Sequence, residues 1–272
     1  MLALGLVLIF KAQDMVQFGY GEFFMAGAFI GFVCYVNLGL PYPVAFLIAI
    51  ACGAVLGLCA ERFLIRPIAD SPHVTLVMAT VGMSFMIKGV ARIWFNQDIY
   101  VLPPMFGGDP FPVFGTVIAP QSIVVIVTSF VFMLALLLLF KFTTIGKQMR
   151  ATADNLVGAR MVGVNVGLIF ATTWGISSAM GAGAGMLAAP LTLLYPDMGT
   201  RPLLKAFAAA VLGGFGSVPG AIVSALAIGV CELYVGVLVG SQTIDVLTFA
   251  IIMIVIVLRP NGLFGTANTK RL

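Results

Sequence analysis

The chain has 272 residues, 61% of them apolar and 9% charged, with a formal net charge of +4. Soluble domains are about 45–50% apolar and about 25% charged, and a chain this short must still cover itself with water-compatible surface. Composition therefore excludes a soluble globular fold, and the sparse charge forms no basic face for nucleic acid.

A bilayer-spanning helix needs about 20 apolar residues, and such runs recur from end to end. The first apolar segment, 1–10, is too short to span and stops at Lys11. It lacks the charge pattern and cleavage site of a signal peptide, so it is read as the lower half of a helix whose beginning is missing. Full spans are expected at 15–37, 41–64, 71–95, 120–141, 166–190, 219–239 and 242–258, with a shorter apolar piece at 203–217. Because the runs are continuous, β-barrel strands are ruled out. The expectation is an all-α integral membrane protein, a polytopic bundle of about 8–10 transmembrane helices, some broken or short. All of 1–272 forms one transmembrane domain, and nine crossings are counted.

Cytoplasmic loops collect Lys and Arg. With the C-terminus inside, Lys11, Arg62, Arg66, Lys141, Lys147, Arg150, Arg160, Arg259, Lys270 and Arg271 fall on that side, ten of the 14 basic residues. The loop 142–165 is then cytoplasmic. The loop 96–119, with Asp98 and Asp109 and no Lys or Arg, is extracytoplasmic. Gly and Ala recur four apart (Gly27 with Gly31, Gly53 with Gly57, Ala179 with Gly183, Gly181 with Gly185). This spacing lets helix backbones approach closely in lipid.

Polar residues inside the spans are the functional candidates. QFGYGE at 17–22 sets Gln17, Tyr20, Glu22 and two glycines where lipid tolerates no polar group. Such groups face a cavity or a protein interior, and glycines there favour the broken helices of solute sites. Glu22 as a path residue and Glu22 as structural glue both stay open. Asp197, Arg201 and Lys205 follow in YPDMGTRPLLKAF, where Lys205 lines a path or meets headgroups; Lys88 and Arg92, one turn apart, invite the same two readings. Glu232 is the other deep carboxylate and Asp245 lies near a span end. The polar loop 143–165 is either a solvated connection or, being longer than a connection needs, a docking surface.

Catalytic and cofactor signatures do not occur. Gly146-Lys147 is followed by Gln148, not by the Ser or Thr of a nucleotide loop. The one histidine, His73, has no paired ligand, and Cys34, Cys52, Cys59 and Cys231 all lie in apolar runs as small hydrophobes. No enzyme, metal or cofactor is expected.

QFGYGEFFMAGAFIG, ERFLIRPI from Glu61, LVMATVGMSF, LLKAFAAAVLGGFGSVPGAI from Leu203 and LRPNGLFG from Leu258 together resemble the permease subunits of branched-chain amino acid importers of the ATP-binding-cassette class. The likeness covers nearly the whole chain, with Gln17 and Tyr20 where the family's early NFAHGE segment has Asn and His. The resemblance implies an inner-membrane permease that carries branched-chain or related small organic solutes. Its implied partners are two cytoplasmic ATPases, a second related permease and an extracytoplasmic binding protein. It also implies a coupling helix with a loose EAA-three-residues-Gly signature. Ala159 and Gly163 fit that signature, flanked by Arg150 and Arg160, although the glutamate is absent. The alternatives are a self-contained secondary transporter or channel and, within the family, a urea, amide or aromatic-acid permease.

Overall fold

A computed structural model describes residues 1–69, 71–106, 111–113, 116–240, 243–259 and 262–264. The expected inner charges Lys270 and Arg271, and Asp109 of the long loop, lie outside the described residues. The helices are α1 (Leu2–Gln13), α2 (Tyr20–Phe32), α3 (Tyr42–Cys59), α4 (His73–Phe95), α5 (Pro120–Phe142), α6 (Thr144–Asp154), α7 (Leu156–Met161), α8 (Val166–Ala188), α9 (Thr200–Gly213), α10 (Val218–Leu238) and α11 (Ile244–Leu258). α2 runs on into a π-helical turn, Val33–Asn37, and α3 into Ala60–Ile65 and then a 3-10 turn, Arg66–Ile68. A small antiparallel hairpin, Phe111–Val113 with Thr116–Ile118, interrupts the loop between α4 and α5.

Five helical stretches among the described residues are long and apolar enough to cross a membrane: Tyr42–Ile68, His73–Phe95, Pro120–Phe142, Val166–Leu191 and Val218–Leu238. Their apolar runs start at prolines or polar caps. Pro120 and Pro219 stand in the first turns of α5 and α10, where the missing N–H costs nothing. Asn165 and Ser217 accept hydrogen bonds from Leu168 N and Gly220 N, both at 3.1 Å, which caps α8 and α10.

The core is built around α8. Of its most apolar stretch 61% is buried, against 6% for α5, so α8 is central and α5 peripheral. The small residues foreseen at four-residue spacing explain how α8 is enclosed. A Cβ on Gly27 of α2 would overlap the backbone of Ala182, and one on Gly185 would overlap the carbonyl of Phe24. On the other flank, Gly53 and Gly57 of α3 pack on Ala182 and Ser178. Along α2, Tyr20 meets Ser177 and Gly31 meets Met186, so α2 runs parallel to α8, whereas Gly53 on Ala182 and Gly57 on Ser178 make α3 antiparallel to it. Polar stitches tie α1 in: Ser177 Oγ donates to Gly5 O at 2.7 Å and Trp174 Nε1 to Gln13 Oε1 at 2.8 Å. At the far end of α3, Arg66 grips buried Glu61 with two nitrogens (3.0 and 2.9 Å) and donates to Gly167 O at 2.8 Å. ERFLIRPI is thus a clamp between α3 and α8.

Two spans differ from expectation, the one foreseen at 242–258 being a 15-residue helix, Ile244–Leu258, shorter than a full span. The helix foreseen at 15–37 begins only at Tyr20, because 14–19 is not helical. Asp14 closes α1 in the left-handed conformation (φ 53), and Phe18 N bonds Thr80 Oγ1 of α4 at 3.3 Å instead of a helical carbonyl.

Gly27→Leu or Gly185→Leu should lower stability by about 1–3 kcal/mol or more through overpacking. Gly229→Ala in α10, where a Cβ meets nothing within 4 Å, should melt at or above wild type. Thermal unfolding of the detergent-solubilised protein checks both.

Candidate functional site

Two helix breaks meet inside the bundle. The first is the 14–19 strip between α1 and α2; the second is the non-helical run 192–199 between the end of α8 and α9. The second run is held by paired backbone bonds between Tyr100 and Leu194, 2.9 Å in each direction, and it returns far enough to bring Gly199 against Gly21. A Cβ on either glycine would overlap the other's carbonyl. Both α2 and α9 therefore start beside this contact rather than at a bundle end.

Charges gather at the junction. Glu22, in the first turn of α2, is 1% exposed. Ser84 Oγ of α4 donates to its Oε1 at 2.8 Å, and Lys88 Nζ lies 3.4 Å from the same oxygen. Lys88 also lies 3.4 Å from Asp197 Oδ1 and 3.3 Å from Thr200 Oγ1. Arg92 Nη2 closes on Asp197 Oδ2 at 2.8 Å. Thr80, Ser84, Lys88 and Arg92 recur every four residues, so one face of α4 carries the whole row. Lys88 sits seven residues, roughly 10 Å of helix, inside the end of α4. Ionisable groups so deep face a cavity or protein.

Not every group there is satisfied. Glu22 Oε2 and both amide atoms of Gln17 are buried without a hydrogen-bond partner among the described residues. Tyr20 has turned away: fully buried, it donates to Ser177 O at 2.6 Å within the α1–α8 core. Lys205 and Glu232 form a second, separate cluster across α9 and α10. Lys205 Nζ is 2.6 Å from Glu232 Oε2, and Thr248 of α11 donates to Oε1 at 3.1 Å. Arg201 and Asp245 pair more loosely beside it at 3.7 Å. The two deep glutamates thus belong to different clusters, each with its own lysine.

At one end of the bundle α6 and α7 form a projecting elbow. Thr143 and Asn155 cap them, accepting from Gly146 N at 3.0 Å and Gly158 N at 2.8 Å. Ala159 turns inward and is buried, while Val157, Met161 and Val162 project at 60%, 82% and 78% exposure. Arg150 and Arg160 are exposed as well. Gly163 ends the elbow at φ +83, a conformation glycine alone adopts without strain. Behind it, a cavity of about 250 Å³ is bounded by Thr152, Leu156 and Arg160 on one side and by Gln13, Asp14 and Met15 on the other.

Residues 1–258 match the family described as "Branched-chain amino acid transport system / permease component". The chain belongs to this permease family. It is 28% identical, over its whole length and 92% of the relative's, to the high-affinity branched-chain amino acid transport system permease LivH of Escherichia coli. The same figures hold for BraD of Pseudomonas aeruginosa, which has the same description. The autoinducer 2 import system permease LsrC of Salmonella paratyphi B is 31% identical over 71% of this chain and 57% of its own. No solved structure gives a significant match. These relatives are transport permeases, and the chain is a multi-pass membrane permease of that kind.

The elbow and both clusters were foreseen in part, since an ionisable residue in an apolar run is conspicuous. What the sequence did not reveal is that Lys88 and Arg92 join Glu22 and Asp197: Glu22 lies near the start of its expected span and Lys88 near the opposite end of another, so nothing in the pattern signalled their contact. In a double-mutant cycle, Lys205→Met and Glu232→Gln should couple by about 1–2 kcal/mol, the single Lys205→Met being worse than the pair. Thermal melting of the four proteins checks it.

Proposed function

We propose that this chain is the pore-forming permease of an ATP-driven importer in the bacterial cytoplasmic membrane, and that it carries branched-chain or similar apolar amino acids inward. Its C-terminus and the elbow face the cytoplasm, as the placement of Lys and Arg requires. Its partners are two ATP-binding-cassette ATPases, a second related permease and an extracytoplasmic binding protein. The observation that carries this reading is the elbow: a capped apolar knob with flanking arginines, standing clear of the bundle beside the strip where α1 breaks.

An apolar side-chain cluster at a helix tip anchors into a partner's groove, while the charges around it set register and on-rate. Val157, Met161 and Val162 are the anchors, and Arg150 and Arg160 meet the ATPase rim. Buried Ala159 and left-handed Gly163 hold the tip at its angle. Closure of the ATPase pair on ATP shifts α7, and α6 passes the shift on. Its buried Met149 and Thr152 make it move with the bundle, and the cavity between Thr152 and Met15 lets the 14–19 strip respond. Coupling of this kind requires different contacts in two states.

The open face of α4, with Gly82 and Gly89 bare, borders the path together with Gln17 and Glu22. Lys205 and Glu232 brace α9 beside it. Glu22 and Glu232 stand in separate clusters, each held by its own lysine, so these two carboxylates do not form the joint ion site a secondary transporter would use.

Met161→Asp with Val157→Asp should cut recovery of the ATPase with the tagged permease at least tenfold, and charge reversal at Arg150 and Arg160 should weaken it further. Pull-down from native membrane with mass spectrometry checks this. Unchanged ATPase recovery together with unchanged uptake would remove the coupling assignment.

A further inference from the structure

Glu22, Lys88, Asp197 and Arg92 form an electrically neutral quartet where the two helix breaks touch, and ATPase docking makes no use of it. Lys88 divides itself between two carboxylates at 3.4 Å each, longer than a charge-assisted bond prefers. Glu22 keeps one buried oxygen without a partner. Asp197 and Arg92 are nearly half exposed, at 46% and 45%, toward the open face of α4. Apolar surface lies alongside: Phe18 is 44% and Phe85 70% exposed, and Phe207 stacks on Phe18 with centroids 6.3 Å apart.

We propose that this quartet is a zwitterion relay: it passes solutes with a carboxylate and an ammonium on one carbon by exchanging ion pairs, so that the permease is itself selective for α-amino acids. The inference rests on the reading of the chain as an amino acid importer. An arriving carboxylate takes the Arg92 fork in two hydrogen bonds, and the solute's ammonium takes the Asp197 oxygens that Arg92 releases. Lys88 then withdraws fully onto Glu22, whose free oxygen receives it. Every charge stays paired throughout, which matters because an unpaired charge away from water is costly. The apolar side chain of the solute points down α4 toward Phe85. A solute with only one of the two charges leaves one member of the quartet unpaired, and a neutral solute gains nothing from opening it.

The test uses the complete importer with its ATPases, sibling permease and binding protein in proteoliposomes, with leucine as probe and uptake counted per ATP hydrolysed. Lys88→Gln and Asp197→Asn should each lower leucine per ATP about tenfold, and Lys88→Arg should restore most of it. Uptake per ATP equal to wild type in both neutralised variants would overturn the relay. Should those variants fail to assemble, the wild-type complex without binding protein decides. Millimolar leucine should raise its melting temperature, and leucinol or 4-methylpentanoate at the same concentration should not; equal shifts, or none, overturn the proposal. Wild-type importer that takes up no amino acid at all would instead remove the proposed function, and the relay with it.

Discussion

The backbone contact between Gly21 and Gly199 is the constraint on which the rest of the interior depends. Each glycine lies next to a broken helix, and each break exposes backbone groups that lipid would leave unsatisfied. Packed against one another and against α4, the breaks satisfy part of that demand locally, as the Phe18 N bond to Thr80 does. Any side chain at either position would push α2 and α9 apart. Lys88 would then lose its reach to one of its two carboxylates.

α8 makes that contact possible. Its small residues let α2 and α3 approach to backbone distance, with Gly27 and Gly53 both on Ala182. Beside this closely packed trio the break at 14–19 is loosely satisfied, with two unpartnered Gln17 amide atoms and a cavity leading toward the elbow. Closely packed and loosely satisfied parts are thus adjacent. That arrangement suits a protein proposed to move one end of a bundle in order to open the other.

Much of the architecture was legible because lipid punishes exceptions. An apolar run of about 20 residues has few fates other than a spanning helix, and prolines and caps mark where the runs begin. Glu22, Lys205 and Glu232 stood out for the same reason. The glycines of QFGYGE pointed to a weakened helix, but the extent of the break over 14–19 was hidden because Met15, Val16 and Phe18 read as a continuing span; contact with α4 and the left-handed Asp14 show where the helix stops. The Lys88–Asp197 contact was hidden because it depends on how far the run 192–199 turns back, and no periodicity encodes that. Tyr20 was singled out as a polar residue in an apolar run, yet its hydroxyl is satisfied within the core by a carbonyl of α8.

The central claim is that the open face of α4 beside the quartet borders an aqueous path rather than lipid. Labelling of single cysteines, in a background without native cysteines, by a membrane-impermeant thiol reagent tests it most directly in native membranes. Gly89→Cys should react, and its rate should change when ATP hydrolysis is trapped; Leu134→Cys on exposed α5 should stay inert. A Gly89→Cys protein as unreactive as Leu134→Cys in every nucleotide state would contradict the account.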